Sequence, residues 1–424
     1  MTAERFLDGW RALRYWGWSF YLLCLFPVLA GAFVRLTHHG WVLMDIDAVL
    51  CAAQASGQGL SPYTAHACPG LAPAAYVYAP QFAAVLAPLV KTLGPMTVRF
   101  IYVVGLLVPA AACLIWFALV RKSGLSTAYR WLAFSALTPM AFCCGNVGLV
   151  MHAGILAGVV ASRLWSRRRW PFVVTVVLCA AVKPTFLAYL IVLLFEDRAW
   201  RLRLRDFAVA ATAGAAMVGA VFASAGVYRD TWRTALHAVA LHDQPGLGWL
   251  ALTAWLGIPA GSIPMLIVTV LFMAAMLGAG LAIARWGDLD SEARWLLGFG
   301  IAPLLTPRLM DYDMLLIVPF AALLMRVSQK AGPRFQRLSG WLFTTVLLVG
   351  IAANMLEVKA WHRTHIAMFL FASLTLVLGA RLAWRALGEK KNEEGRLPGG
   401  GKGEMVHRGK PVLALFNPVS KRRL

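Results

Sequence analysis

Residues 163–205 read RLWSRRRWPFVVTVVLCAAVKPTFLAYLIVLLFEDRAWRLRLR, and their pattern decides the fold. Two apolar pieces, 171–182 and 185–195, are broken at Lys183-Pro184 and bounded on both sides by arginines. A full helical crossing of a bilayer takes about 20 residues, and a proline interrupts a helix by removing a backbone donor. Neither piece spans a bilayer alone. With both arginine blocks on one side, the stretch is a hairpin of two short helices whose tip points the other way. The preceding stretch repeats the pattern: 131–143 and 147–162 are separated by Gly145-Asn146 and stand between basic blocks at 121–130 and 163–170. Both tips then share one side at membrane depth. Backbone interrupted there needs a cavity from the outer side or burial in protein.

The rest of the chain fits the same solvent. Of 424 residues, 60% are hydrophobic and 14% charged, against about 45–50% and about 25% in soluble domains. Forty Lys and Arg against 19 Asp and Glu give a formal charge of +21. These bases cluster in gaps between apolar runs and line no amphipathic face. That distribution excludes nucleic acid as the partner and marks the cytoplasmic side of a polytopic membrane protein. Further runs lie at 16–34, 99–120, 207–227, 263–284, 295–306, 314–325, 338–355 and 366–384, and the Trp16–Val34 run reads as a retained helix. Residues 76–93, interrupted by Pro80 and Pro88, read as a re-entrant or interfacial helix. The expectation is an all-α polytopic membrane protein of about 12 transmembrane helices including short hairpins, with both termini cytoplasmic. Residues 1–387 form the transmembrane domain. The basic, glycine-rich tail 388–424 reads as disordered, with a membrane-surface contact at 412–416. Cys51 and Cys68 lie in the first long polar loop; they can pair if it is extracytoplasmic, though two free thiols are the plainer reading.

Ionisable residues at membrane depth are functional candidates, and here they gather on the expected outer side. Asp45 and Asp47 follow the first helix; one reading makes them helix caps, another makes one of them a general base for an incoming hydroxyl. Lys183 either snorkels to the interface or, with Arg308, clamps an anionic phosphate. Asp311 and Asp313 flank Tyr312 and either neutralise Arg308 or orient an acceptor. Asn146 is a hydrogen-bonding group at a hairpin tip or simply a turn former. Two carboxylates at Asp45-x-Asp47 leave room for a divalent cation without specifying one, and no Cys or His spacing reads as a metal site.

These residues resemble glycosyltransferase family 87. Asp45-Ile46-Asp47, Ala52-Ala53 and Gly59-Leu60-Ser61-Pro62-Tyr63 resemble the family's opening loop. Tyr76-Val77-Tyr78-Ala79-Pro80 resembles its Tyr-Pro-Pro step, with Ala79 for the first proline. Gly145-Asn146-Val147-Gly148 resembles a Gly-Gln-Asn tip, Val182-Lys183-Pro184-Thr185 a Lys-Pro-Gln tip, and the 306–313 segment a late Ser/Thr-Pro motif with a Tyr-Asp pair. The likeness covers roughly residues 17–330 in order. It implies a GT-C type fold; the short cytoplasmic tail without a eukaryotic-type retrieval signal reads as a bacterial inner-membrane protein, with the active site on the periplasmic side. The likeness also implies inverting transfer of a hexose, commonly mannose, from a polyprenyl-phosphate sugar to a glycolipid or glycan acceptor hydroxyl. The resemblance makes Asp45 the base, with Asp47 as alternate. Lys183 and Arg308 then hold the donor phosphate, and Tyr63, Tyr78, Asn146, Asp311 and Asp313 line the substrates, with membrane lipids around the protein. The rival from another class is a transporter or flippase of a lipid-linked or anionic substrate, which would carry related halves and charges at mid-membrane.

Overall fold

The arginine-bounded stretch folds as a hairpin. The computed structural model describes residues 17–394 apart from 39–41, 65–67, 121–126, 139–140, 165–168, 240–247, 250–252, 254–255, 260, 307, 311 and 356–359. In chain order its helices are α1 Gly17–His38, α2 Met44–Gly57, α3 Pro80–Leu93, α4 Pro95–Leu119 and α5 Thr127–Leu137. Then come α6 Val147–Leu164, α7 Trp170–Val182, α8 Pro184–Phe195, α9 Trp200–Ala223 and α10 Arg229–Ala238. The last five are α11 Ile263–Trp286, α12 Ser291–Leu305, α13 Asp313–Ala331, α14 Pro333–Met355 and α15 Ala360–Glu394. The described residues contain no strand.

Lys183 is the one extended residue between α7 and α8, and Pro184 opens α8 at a position where its missing N–H costs nothing. α8 is wound as a 3₁₀ helix. At about 2.0 Å per residue, such winding carries a short segment about a third farther than an α-helix would. The arginine ends close together as the pattern predicts. Arg169, before α7, pairs with Glu196, after α8, while Asp206 at the start of α9 takes Arg198 at 2.7 Å and Arg205 at 3.1 Å. The second hairpin, α5 and α6, turns through 141–146. α8 packs between α7, α9 and α12, and α12 against α13. α13 is buried along nearly its whole length and is the centre of the bundle.

Among the described residues, six helices are long and apolar enough to cross a membrane: α4, α9, α11, α13, α14 and the Phe369–Glu389 part of α15. The chain is therefore an all-helical polytopic membrane protein, and the expected number of 12 crossings is reached only if shorter helices such as α5, with 11 residues, are counted. α9 and α11 present large side chains outward, among them Val209, Leu266 and Leu271, as lipid-facing helices do. α11 and α15 approach closely at Gly379, where a Cβ would stand 2.7 Å from the Ala279 backbone.

One expectation changes. Cys51 and Cys68 form a disulfide with their Cα atoms 5.7 Å apart, so the reading as two free thiols is wrong. The pair meets because the loop after α2 folds back onto that helix, a proximity that sequence spacing cannot reveal. The last helix continues through Glu394, past the expected boundary at 387; Arg385 and Glu389 face each other one turn apart. Residues 395–424, the greater part of the expected tail, lie outside the described residues, as do residues 1–16. α3, at 14 residues, rises about 21 Å. That is short of a full crossing, in keeping with the partial element read there.

Candidate active site

The α5–α6 tip meets the N-terminus of α2. Leu43 precedes that helix at φ 66°, so the N-cap position belongs to Leu43 and neither aspartate caps it. Both acids stand in the first turn, where the helix dipole favours a carboxylate. The backbone N–H of Leu43 donates to Cys143 O at 2.9 Å, and that of Asp45 to Cys144 O at 2.9 Å. The α5–α6 tip thus satisfies N–H groups that a helix start leaves open. Gly145 follows at φ 64°, and a Cβ there would lie 3.1 Å from the Leu43 Cα. Only glycine lets the tip come this close. The Gly145 carbonyl accepts the Tyr102 hydroxyl at 3.0 Å. Asn146, buried, then reaches Asp45: its Nδ2 donates to Oδ2 at 2.6 Å, while its own Oδ1 accepts the Gly148 N–H at 2.7 Å. The amide is fixed at both ends and aims Asp45.

Asp47, two residues on, faces elsewhere. It is fully buried, with Arg99 Nε 2.8 Å from Oδ1 and Nη2 3.1 Å from Oδ2, and Oδ2 also accepts the Ala72 N–H at 3.1 Å. Arg99 donates as well to the Val42 carbonyl at 2.8 Å. These contacts hold the folded-back loop, the start of α2 and α4 together. Asp45 and Asp47 form no common donor set, and among the described residues no three His, Cys, Asp or Glu side chains converge on a metal position.

The second tip carries the cation. Lys183 Nζ lies 4.8 Å from the Tyr312 ring centre and 5.5 Å from that of Phe186. It is 3.4 Å from the Tyr312 hydroxyl and 3.8 Å from Asp313 Oδ1. This is a half-buried lysine beside a carboxylate and two rings. Arg308 is half-buried and acts electrostatically on Lys183, Tyr78 and Tyr312. Asp45 acts electrostatically on the same three groups. Asp311 lies outside the described residues.

Tyr63 and Tyr78 belong to one rigid strap. The Tyr63 hydroxyl donates to the Tyr78 carbonyl at 2.8 Å and that of Tyr76 to Ala79 at 2.7 Å. Their rings meet in series with Phe82 in tilted and edge-on contacts, and Trp232 of α10 donates to the Val77 carbonyl at 3.2 Å. Burial raises the Tyr78 phenol well above its ordinary range, and the Asp45 charge pushes the same way, so Tyr78 stays neutral beside the carboxylate. Tyr63 thus holds the Tyr78 backbone, and Tyr78 lies within electrostatic range of Asp45.

One part escapes the sequence reading. His152 in α6 places Nε2 2.8 Å from Asp313 Oδ1, and the Tyr189 hydroxyl of α8 is 3.1 Å from its Nδ1. The available signal was a single ionisable residue inside the 147–162 run, the criterion that singles out Lys183.

The site joins a positioned carboxylate to two cations in a low-dielectric surround, an arrangement suited to taking a proton at one end and stabilising an anion at the other. Compared with known families, the chain matches glycosyltransferase family 87 over residues 76–307, more than half its length. The match includes Tyr78, Asn146, His152 and Lys183; Asp45, Asp47, Arg308 and Asp313 lie beyond its ends. No curated protein and no solved structure matches the chain.

Proposed function

Since the chain belongs to glycosyltransferase family 87 and is a membrane glycosyltransferase, we propose that it transfers a hexose, mannose first among candidates, from a polyprenyl-phosphate donor. The acceptor is a hydroxyl of a glycolipid or glycan, and the anomeric centre inverts. Asp45 takes the hydroxyl proton as the new bond forms at the anomeric carbon. The bond from that carbon to the phosphate oxygen breaks, and the polyprenyl phosphate leaves with the electron pair. Inversion needs one base on the face opposite the leaving group, in contrast to the carboxylate pair of a retaining enzyme. Lys183 and Arg308 meet the charge that grows on the phosphate. A phosphate is a good leaving group, so no strong acid is required. No divalent cation enters this account.

The observation that carries the reading is Asp45 held by Asn146 within electrostatic range of Lys183. The disulfide between Cys51 and Cys68 supports an extracytoplasmic site, since disulfides persist in oxidising compartments. With the arginine ends of both hairpins opposite, a bacterial inner membrane with a periplasmic active site fits. The test supplies purified protein in lipid with a panel of radiolabelled polyprenyl-phosphate hexoses and a nucleotide sugar. Labelled product from one polyprenyl-phosphate donor supports the proposal. Product from the nucleotide sugar alone overturns the donor class.

A further inference from the structure

The phosphate-binding reading of Lys183 raises a problem that the neighbouring carboxylate poses. Asp313 is buried beside Lys183. In a low-dielectric site such a pair closes into a tight ion pair at about 2.8 Å, and a lysine spent that way is a poor anion ligand. Here the pair is held open at 3.8 Å. Both Asp313 oxygens are engaged elsewhere. Oδ2 accepts the Met310 N–H at 2.9 Å, and Oδ1 faces His152 Nε2 at 2.8 Å, a full ångström nearer than Lys183. His152 is itself fixed. Its Nδ1 meets the Tyr189 hydroxyl at 3.1 Å, and its ring packs on Phe186 and Tyr189, with centres 4.9 and 5.6 Å away. A carboxylate only accepts, so Nε2 carries the hydrogen; a neutral ring then accepts at Nδ1 from Tyr189. Three elements contribute: Tyr189 from α8, His152 from α6 and Asp313 from the start of α13.

We propose that the Tyr189–His152 pair is a positioning device that holds Asp313 back from Lys183, keeping the ammonium oriented yet open to the donor's phosphate. This deepens the proposed function and rests on its assignment of Lys183. Neither His152 nor Tyr189 touches the substrates; both act through Asp313. Without His152, the freed Oδ1 closes on Nζ, and the donor loses its cation while Asp45 and the acceptor side are undisturbed.

The test is a double-mutant cycle in the purified protein in lipid, with KM measured separately for donor and acceptor. His152→Leu should raise the donor KM about tenfold, as loss of one charge-assisted contact does, and leave the acceptor KM within twofold. Tyr189→Phe keeps the packing and removes the hydroxyl, and should shift donor KM the same way by a smaller factor. In a Lys183→Ala background, His152→Leu should add nothing, because its effect runs through the missing ammonium. A structural role alone predicts the opposite: donor and acceptor KM, kcat and thermal midpoint move together, and the two substitutions add. That result overturns the proposal, and Tyr189→Phe keeps the question open to decision should His152→Leu fail to fold. An unchanged donor KM in Lys183→Ala refutes the phosphate assignment itself. A raised donor KM in Lys183→Ala with none in His152→Leu or Tyr189→Phe refutes only the positioning device.

Discussion

Replacing Arg99 with leucine should destabilise the protein by about 3–5 kcal/mol, the cost of leaving a buried carboxylate without its partner. The magnitude follows from what Arg99 does. It contacts both oxygens of Asp47, which is 0% exposed, and it also satisfies the Val42 carbonyl. Leucine strands Oδ1 and the Val42 carbonyl and leaves Oδ2 only the Ala72 N–H. The same loss has a built-in control. In the double variant Arg99→Leu, Asp47→Leu the charge is gone; what remains is the unpaired Ala72 N–H and Val42 carbonyl, together about 2 kcal/mol or more. The double variant should therefore recover part of the stability lost by the single one. Equilibrium unfolding in mixed detergent micelles, followed by tryptophan fluorescence, reads the difference. A single variant as stable as wild type, or a double variant less stable than the single, refutes the reasoning. The double variant also separates the two aspartates: it should keep measurable transfer, since Asp47 is engaged by Arg99 and Asp45 is untouched. A folded double variant without activity would return the base role to Asp47.

The remaining predictions concern the same side of the protein. Replacing Cys51 and Cys68 together with serine should cost about 3 kcal/mol, the usual effect of opening a loop this short, and mild reduction of the wild-type protein should lower its thermal midpoint by a matching amount. Gly145→Val should lower transfer at least tenfold while the protein is still inserted. The left-handed φ and the Leu43 backbone leave no room for the new side chain, and the displaced tip carries Asn146 away from Asp45; kcat at saturating substrates measures this.

The helix breaks were legible in the sequence because glycine and proline mark them chemically. Gly145-Asn146 and Lys183-Pro184 are turns in the structure where the sequence puts them, and Arg169 meets Glu196 at the opposite end of the α7–α8 hairpin. The partners across those turns were not legible. Asn146 finds Asp45 across 101 residues and Asp47 finds Arg99 across 52, distances over which local pattern carries no information. Asp45 and Asp47 look equivalent as a D-x-D pair, and only packing assigns one to Asn146 and the other to Arg99. Cys51 and Cys68 pair because their loop folds back, which spacing alone does not specify. His152 was hidden by its neighbours: in an apolar run of helical length, one histidine barely alters the pattern, yet it reaches the start of α13. Asp313 and Lys183 were both visible as candidates, but the gap between them is a property of three helices and of no single motif.

The central claim is that Asp45 accepts the acceptor's proton. Its most direct test is labelled hexose transfer by Asp45→Asn in lipid, with donor binding measured on the same preparation. The substitution keeps the shape and removes the basic oxygen. The account predicts donor binding within a few-fold of wild type and a fall in kcat of about 10²–10⁴, the usual contribution of a positioned general base. An Asp45→Asn protein that transfers hexose at the wild-type rate would contradict it.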